Sequence, residues 1–227
     1  MSTSGARPAF YALGSGGWRD YVTLLHPPYT LWHLSYVAIG AALAPRLKWG
    51  LLGWTTLAFL LALGIGAHAL DELKGRPLRT RIPARVLVAL AAVSIGAACA
   101  IGLVVAARST WWLAAFVAAG GFIVVAYNLE LWGGRFHSDL WFAAAWGAFP
   151  LVTAYFAAAE RFRVEVLPAA AFAVATSLAQ RTLSTHVRFA RRQLDDATAA
   201  AASEASLKLL CLALPLLAAA LLLVRSG

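Results

Sequence analysis

The residues best equipped for chemistry begin with His68, Asp71 and Glu72, which close a long apolar run. At i, i+3 and i+4 a helix carries all three on one face. Arg76, Arg79, Arg81 and Arg85 follow at once. An imidazole beside two carboxylates, backed by guanidinium groups, can ligate a cation, move a proton or hold an anion. The other four histidines also stand near the ends of apolar runs. His26 precedes Pro27-Pro28, and His33 lies two helical turns on. Glu130 ends one apolar run, His137 and Asp139 open the next, and His186 ends another.

Imidazole with carboxylate suits Zn²⁺, Fe²⁺ or Mn²⁺, whereas Mg²⁺ prefers an all-oxygen shell. The candidate metal ligands are therefore His33, His68, His137 and His186, followed by His26, Glu130 and Asp139. Asp71 and Glu72 are the carboxylate ligands or the catalytic general base. No HExxH or ExxH run sets the number of ions. Each residue also has a plain structural reading. A lone interfacial His is most often hydrogen-bonded scaffolding, Asp71 and Glu72 can pair with neighbouring arginines, and Asp139 after Ser138 sits at a helix start. Ionisable groups at membrane depth are costly, however, and usually face a cavity. Four spans bringing His to one level favour such a cavity.

The positioning elements are apolar helices. The chain has 227 residues, 61% of them hydrophobic and only 13% charged, against roughly 25% charged in a soluble domain. Its mean hydropathy is +0.73. Several runs reach the ~20 residues that span a hydrocarbon core, and none shows the period-2 alternation of a β-barrel. The fold class is all-α, a polytopic integral membrane bundle with spans expected near 29–45, 50–70, 85–107, 110–128, 139–159, 166–188 and 206–224. Residues 1–25 read as an N-terminal segment and 26–227 as one helical domain. The segment 1–20 has no apolar core, so no cleavable signal is expected.

Thirteen Lys and Arg flank the N-terminus and the longer links 71–84, 129–138 and 189–205, against six on the other side. The positive-inside rule then places the N-terminus and the candidate site in the cytoplasm of a multi-pass cell-membrane protein. The Ala-rich link Leu194–Glu204 reads as a short surface helix or a mobile cover. Cys99 and Cys211 lie inside apolar runs and read as packing residues. Nine Trp and six Tyr, many near run ends, fit an aromatic belt. The net charge of +9 clusters beside the spans, and no nucleic-acid motif is present.

Four stretches resemble the UbiA superfamily of intramembrane prenyltransferases. His26-Pro-Pro-Tyr-Thr30 is similar to the Arg-Pro start of that family's first helix. Ala67-His-Ala-Leu-Asp71, with Arg76-Pro77 and Arg79-Thr-Arg-Ile-Pro83, resembles its first aspartate motif, NDxxDxxxD, and the tail after it. Tyr127-Asn-Leu-Glu-Leu-Trp-Gly-Gly-Arg135 resembles the Tyr-x-x-x-Lys-Arg segment after the fourth helix, and Trp146-Gly-Ala-Phe-Pro150 the Gly-rich fifth helix. The likeness covers roughly residues 20 to 190. It implies a helical cavity in which Mg²⁺ on two aspartate motifs binds the diphosphate of an isoprenoid donor. This chain departs from the pattern where chemistry is concerned. Ala67 and His68 replace Asn-Asp, Gly75 replaces the last Asp, and Gln180–Arg188 holds no carboxylate.

The first expectation is thus a membrane metalloenzyme that reuses a UbiA-like cavity, with Zn, Fe or Mn, on a lipid-like, isoprenoid-type substrate. Arg76, Arg79, Arg81, Tyr127, Asn128, Arg135 and Arg188 would meet that substrate. The alternative is a divergent prenyltransferase using Mg²⁺ and a prenyl diphosphate. A third is a non-catalytic metal- or lipid-binding subunit, with a protein partner or a second copy.

Overall fold

The computed structural model describes residues 7–193 and 197–226. It is 79% helical, with no strand among the described residues. The helices that carry the fold are α1 (Trp18–Leu24), α2 (Pro27–Leu43), α3 (Trp49–Leu73), α4 (Ala84–Arg108), α5 (Leu113–Asn128), α6 (Asp139–Ala159), α7 (Val166–Gln193) and α8 (Ala197–Val224). Five of them, α3, α4, α6, α7 and α8, are long and apolar enough to cross a membrane. The chain is a helical membrane protein. Helices α2 and α5, of 17 and 16 residues, occupy the other two expected spans and are shorter.

Local chemistry explains the helix boundaries. Pro27 and Pro28 open α2, where a missing N–H costs nothing. Pro83 precedes α4 and holds the chain extended before it. Two π-helical stretches interrupt the long helices, Leu60–Ala67 in α3 and Ala143–Ala148 in α6. The second precedes Pro150, which has no N–H to offer the Trp146 carbonyl. Such wide turns re-aim the side chains in and after them, here Trp146 within the second and His68 just after the first.

Close helix contact depends on small residues, as is usual in membranes. A Cβ on Gly40 of α2 would stand 2.0 Å from the Leu151 carbonyl oxygen of α6. One on Gly147 of α6 would stand 2.6 Å from the Ala173 carbonyl oxygen of α7. Around the first crossing pack Trp32, Tyr36, Leu151 and Tyr155, all buried.

One sequence expectation changes. Within the link Leu194–Glu204, residues 197–204 are not a short separate helix but the first turns of α8, while α7 runs to Gln193. Residues 194–196 lie outside the described part. Alanine-rich sequence favours helix, and Glu204 ties α8 to α7 by accepting from Arg191, while Lys208 pairs with it along α8. Neither cysteine is paired. Cys211 is buried, and Cys99 is half-buried.

Candidate functional site

At one end of the bundle a chamber of about 310 Å³ opens between α2, α3, α5, α6 and α7. His26, Tyr29 and His33 line it from the start of α2, and His68 and Asp71 from the end of α3. Tyr127 and Asn128 come from the end of α5, His137 from the following link, Phe142 and Trp146 from α6. Gln180, Arg181, Ser184 and Arg188 come from α7. The N-terminal residues Pro8–Tyr11 form part of its wall, with the Tyr11 ring 5.2 Å from His26 and 5.4 Å from Tyr29.

Three histidines are held in the same way. His33 Nδ1 lies 2.9 Å from the Trp146 carbonyl oxygen, the group Pro150 cannot serve. His68 Nδ1 lies 3.1 Å from Gly64 O, and His137 Nδ1 lies 3.1 Å from Tyr127 O. A carbonyl can only accept, so each Nδ1 carries the proton. In the neutral ring each Nε2 then holds a lone pair. This is the tautomer and anchoring found in metal-ligating histidines. It equally suits a proton acceptor.

His26 differs. Its backbone is left-handed, with φ 46°, and its ring stacks on His68 at 3.9 Å with an interplanar angle of 15°. Its Nε2 is buried without a protein partner among the described residues, as are Tyr127 Oη and Gln180 Oε1. Burial, with lesser contributions from His68 and His33, pushes the His26 imidazole well below its ordinary 6.5. The fold therefore binds fewer protons there than the unfolded chain. The stability this group lends is held above pH 6.5 and lost progressively as pH falls below it. Thermal melts of purified protein between pH 7.5 and pH 5.5 should show the loss, and His26→Phe should remove this share of the slope.

The remaining expected site residues stand outside the chamber. Glu72 is fully buried behind it, accepting from Leu78 N at 3.0 Å, Thr80 N at 2.9 Å and Thr80 Oγ1 at 2.8 Å. It shapes the loop after α3 instead of facing a ligand. Glu130 pairs with Lys74, whose hydrogen bond holds its carboxyl below the usual value. Asp139 accepts from Arg181 Nε at 2.9 Å. His186 is exposed and meets Ser203 Oγ at 2.8 Å. Arg76 donates to Ile82 O, while Arg79, Arg81 and Arg135 are exposed.

Of the expected ligands, His26, His33, His68, His137 and Asp71 thus share the chamber. Among the described residues, no three His, Cys, Asp or Glu side chains converge as a metal-holding group. The donor types and the tautomers suit a metal, but a common centre requires side-chain movement. Sequence reasoning missed Gln180, Tyr11 and Tyr29. Gln180 had a signal, as the amide that ends the apolar part of its run just before Arg181. Tyr11 and Tyr29 had none.

A second, apolar cavity of about 100 Å³ lies between α3, α4, α5 and α6, lined by residues such as Trp54, Phe59, Cys99, Phe116 and Phe149. Along α5 and α6 it begins one turn beyond the chamber, at Val124 and Phe149 against Tyr127 and Trp146. No protein-family model, curated protein or solved structure matches the chain.

Proposed function

We propose that the protein is an integral membrane enzyme of UbiA-like build, with seven spans and the chamber at the cytoplasmic face. Its substrate is a lipid-like, isoprenoid-type molecule whose polar end enters the chamber. The observation that carries this reading is the common anchoring of His33, His68 and His137, each with Nδ1–H on a backbone carbonyl. Three imidazoles held in one tautomer around a single chamber support the reading of a reactive set rather than three separate packing residues. His33, His68, His137 and Asp71 would hold a Zn, Fe or Mn ion, with His26 in reserve. Such an ion supplies Lewis acidity or an activated water, or redox chemistry if it is iron. Asp71 is the chamber's carboxylate and takes the role of ligand or general base.

Elemental analysis of detergent-purified protein tests the metal. Stoichiometric Zn, Fe or Mn is expected, falling at least tenfold in a His33→Ala/His68→Ala double variant. His186→Ala should retain the metal, since that residue stands apart. An empty wild-type protein overturns the metal assignment.

A second reading is a divergent Mg²⁺-dependent prenyltransferase. Arg181 and Arg188 at the chamber wall favour it, because guanidinium groups suit a diphosphate. Against it, Asp71 is alone among carboxylates lining the chamber, while Glu130 and Asp139 are committed to Lys74 and Arg181. Mg²⁺-dependent stabilisation by a prenyl diphosphate would favour this reading over the first. A non-catalytic subunit would show neither metal nor turnover without a fixed partner.

A further inference from the structure

The buried polar atoms that nothing in the fold satisfies say what kind of head group the chamber receives. Tyr127 Oη and Gln180 Oε1 are both buried and without a protein partner among the described residues, and both residues line the chamber. An unsatisfied buried polar group costs about 1–3 kcal/mol, so two lining one chamber, beside His26 Nε2, are retained for something that enters. Their chemistries are complementary. The phenol donates, and the amide oxygen accepts. An uncharged hydroxyl also does both.

The rest of the wall narrows the choice. With Nδ1–H committed to backbone carbonyls, His33, His68 and His137 add acceptor nitrogens, and Asp71 adds a carboxylate. Arg181 is tied to Asp139 and Arg188 to Ser184 and Thr185. A wall rich in lone pairs, with Arg181 neutralised by Asp139 and Arg188 donors spent on two hydroxyls, disfavours a free anionic head. It accepts a hydrogen-donating one. The Tyr127, Trp146 and Phe142 rings, with Tyr127 and Trp146 4.4 Å apart and Phe142 stacked on Trp146, supply an apolar flank for the adjoining carbons.

We propose that the chamber binds an uncharged, hydroxyl-headed amphiphile, with Tyr127 and Gln180 as the residues that select the hydroxyl over a diphosphate. This rests on the chamber being a substrate site, as argued above, and it names the substrate class. It does not need the metal.

The test is direct binding to the whole protein in lipid nanodiscs, with radiolabelled farnesol and farnesyl diphosphate as probes, on wild type, Tyr127→Phe and Gln180→Leu. Farnesol is expected to bind more tightly than its diphosphate, and each substitution to weaken farnesol about tenfold. Melts of the ligand-free variants separate this from a structural role. Removing an orphaned buried hydroxyl leaves ligand-free stability unchanged or raises it, whereas a structural hydrogen bond would be lost at a cost. Tighter binding of the diphosphate, or unchanged farnesol affinity in both variants, overturns the proposal. The latter result is expected if water alone serves the two atoms. Metal content measured on the same samples reads the metal assignment independently. Farnesol selectivity without bound metal would sink that assignment and keep this one.

Discussion

Gly40→Ala is expected to lower the melting temperature of the purified protein by roughly 6–12 °C, or to prevent its recovery in folded form. The added methyl would fall 2.0 Å from a backbone oxygen, that of Leu151, which cannot rotate away as a side-chain tip could. Helices α2 and α6 must separate, loosening the packing of Trp32, Tyr36, Leu151 and Tyr155. Overpacking of this kind costs about 3 kcal/mol, the upper end of the usual range, and each kcal/mol is worth about 2–4 °C in a chain of this size. Gly53 is the matched control, since a Cβ there meets nothing within 4 Å. Gly53→Ala should be neutral or slightly stabilising, because alanine is the better helix former by about 1 kcal/mol. The site should feel Gly40→Ala as well. His33 sits two turns up α2 and takes its orientation from the Trp146 carbonyl on α6, so any separation of the helices breaks that bond. Metal content or ligand affinity should fall further than stability alone explains.

Glu72→Ala is expected to destabilise by about 4 kcal/mol and to open the loop after α3. The carboxylate takes three hydrogen bonds, two from the backbone of Leu78 and Thr80 and one from the Thr80 hydroxyl. Deleting it leaves those buried donors without an acceptor, at about 1–3 kcal/mol each. Glu72→Gln keeps one oxygen and should lose about half as much. The loop it organises contains Gly75, Arg76 and Arg79 at positive φ, conformations that non-glycine residues hold only under outside constraint. Limited trypsin digestion should therefore cut at Lys74 or Arg79 many times faster in the alanine variant, with cleavage elsewhere less affected, the Arg76–Pro77 bond being resistant to trypsin. Equal digestion of this loop in variant and wild type would refute the role. Leu78 and Pro77 belong to the chamber wall, so the same substitution should weaken ligand binding without Glu72 touching the ligand.

Much of the architecture was legible in the sequence because bilayer physics leaves few choices. Long apolar runs must form helices, since every backbone polar group in hydrocarbon has to be satisfied within its own segment. The five membrane-length helices lie where hydropathy places them. Charge and histidine placement also pointed to one end of the bundle, and His26, His33, His68, His137 and Asp71 do meet there. The helical extent beyond residue 189 escaped the reading because hydropathy fades there. The ion pair of Glu204 with Arg191 joins residues on two helices.

What the sequence by itself determined is the helical membrane class and the level at which the ionisable groups gather. Only the tertiary structure decided which of them face a common space. Adjacent residues show why. Asp71 and Glu72 are one step apart, a rotation of about 100° on a helix, and one lines the chamber while the other is sealed behind it under a loop. His186 lies at the right level yet turns toward Ser203, whereas Gln180, on the same helix, turns its amide into the chamber wall. Hydropathy fixes depth along the membrane normal. Rotation about each helix axis is set by packing, by the Gly40 and Gly147 crossings and the two π-helical stretches, and that rotation made the site.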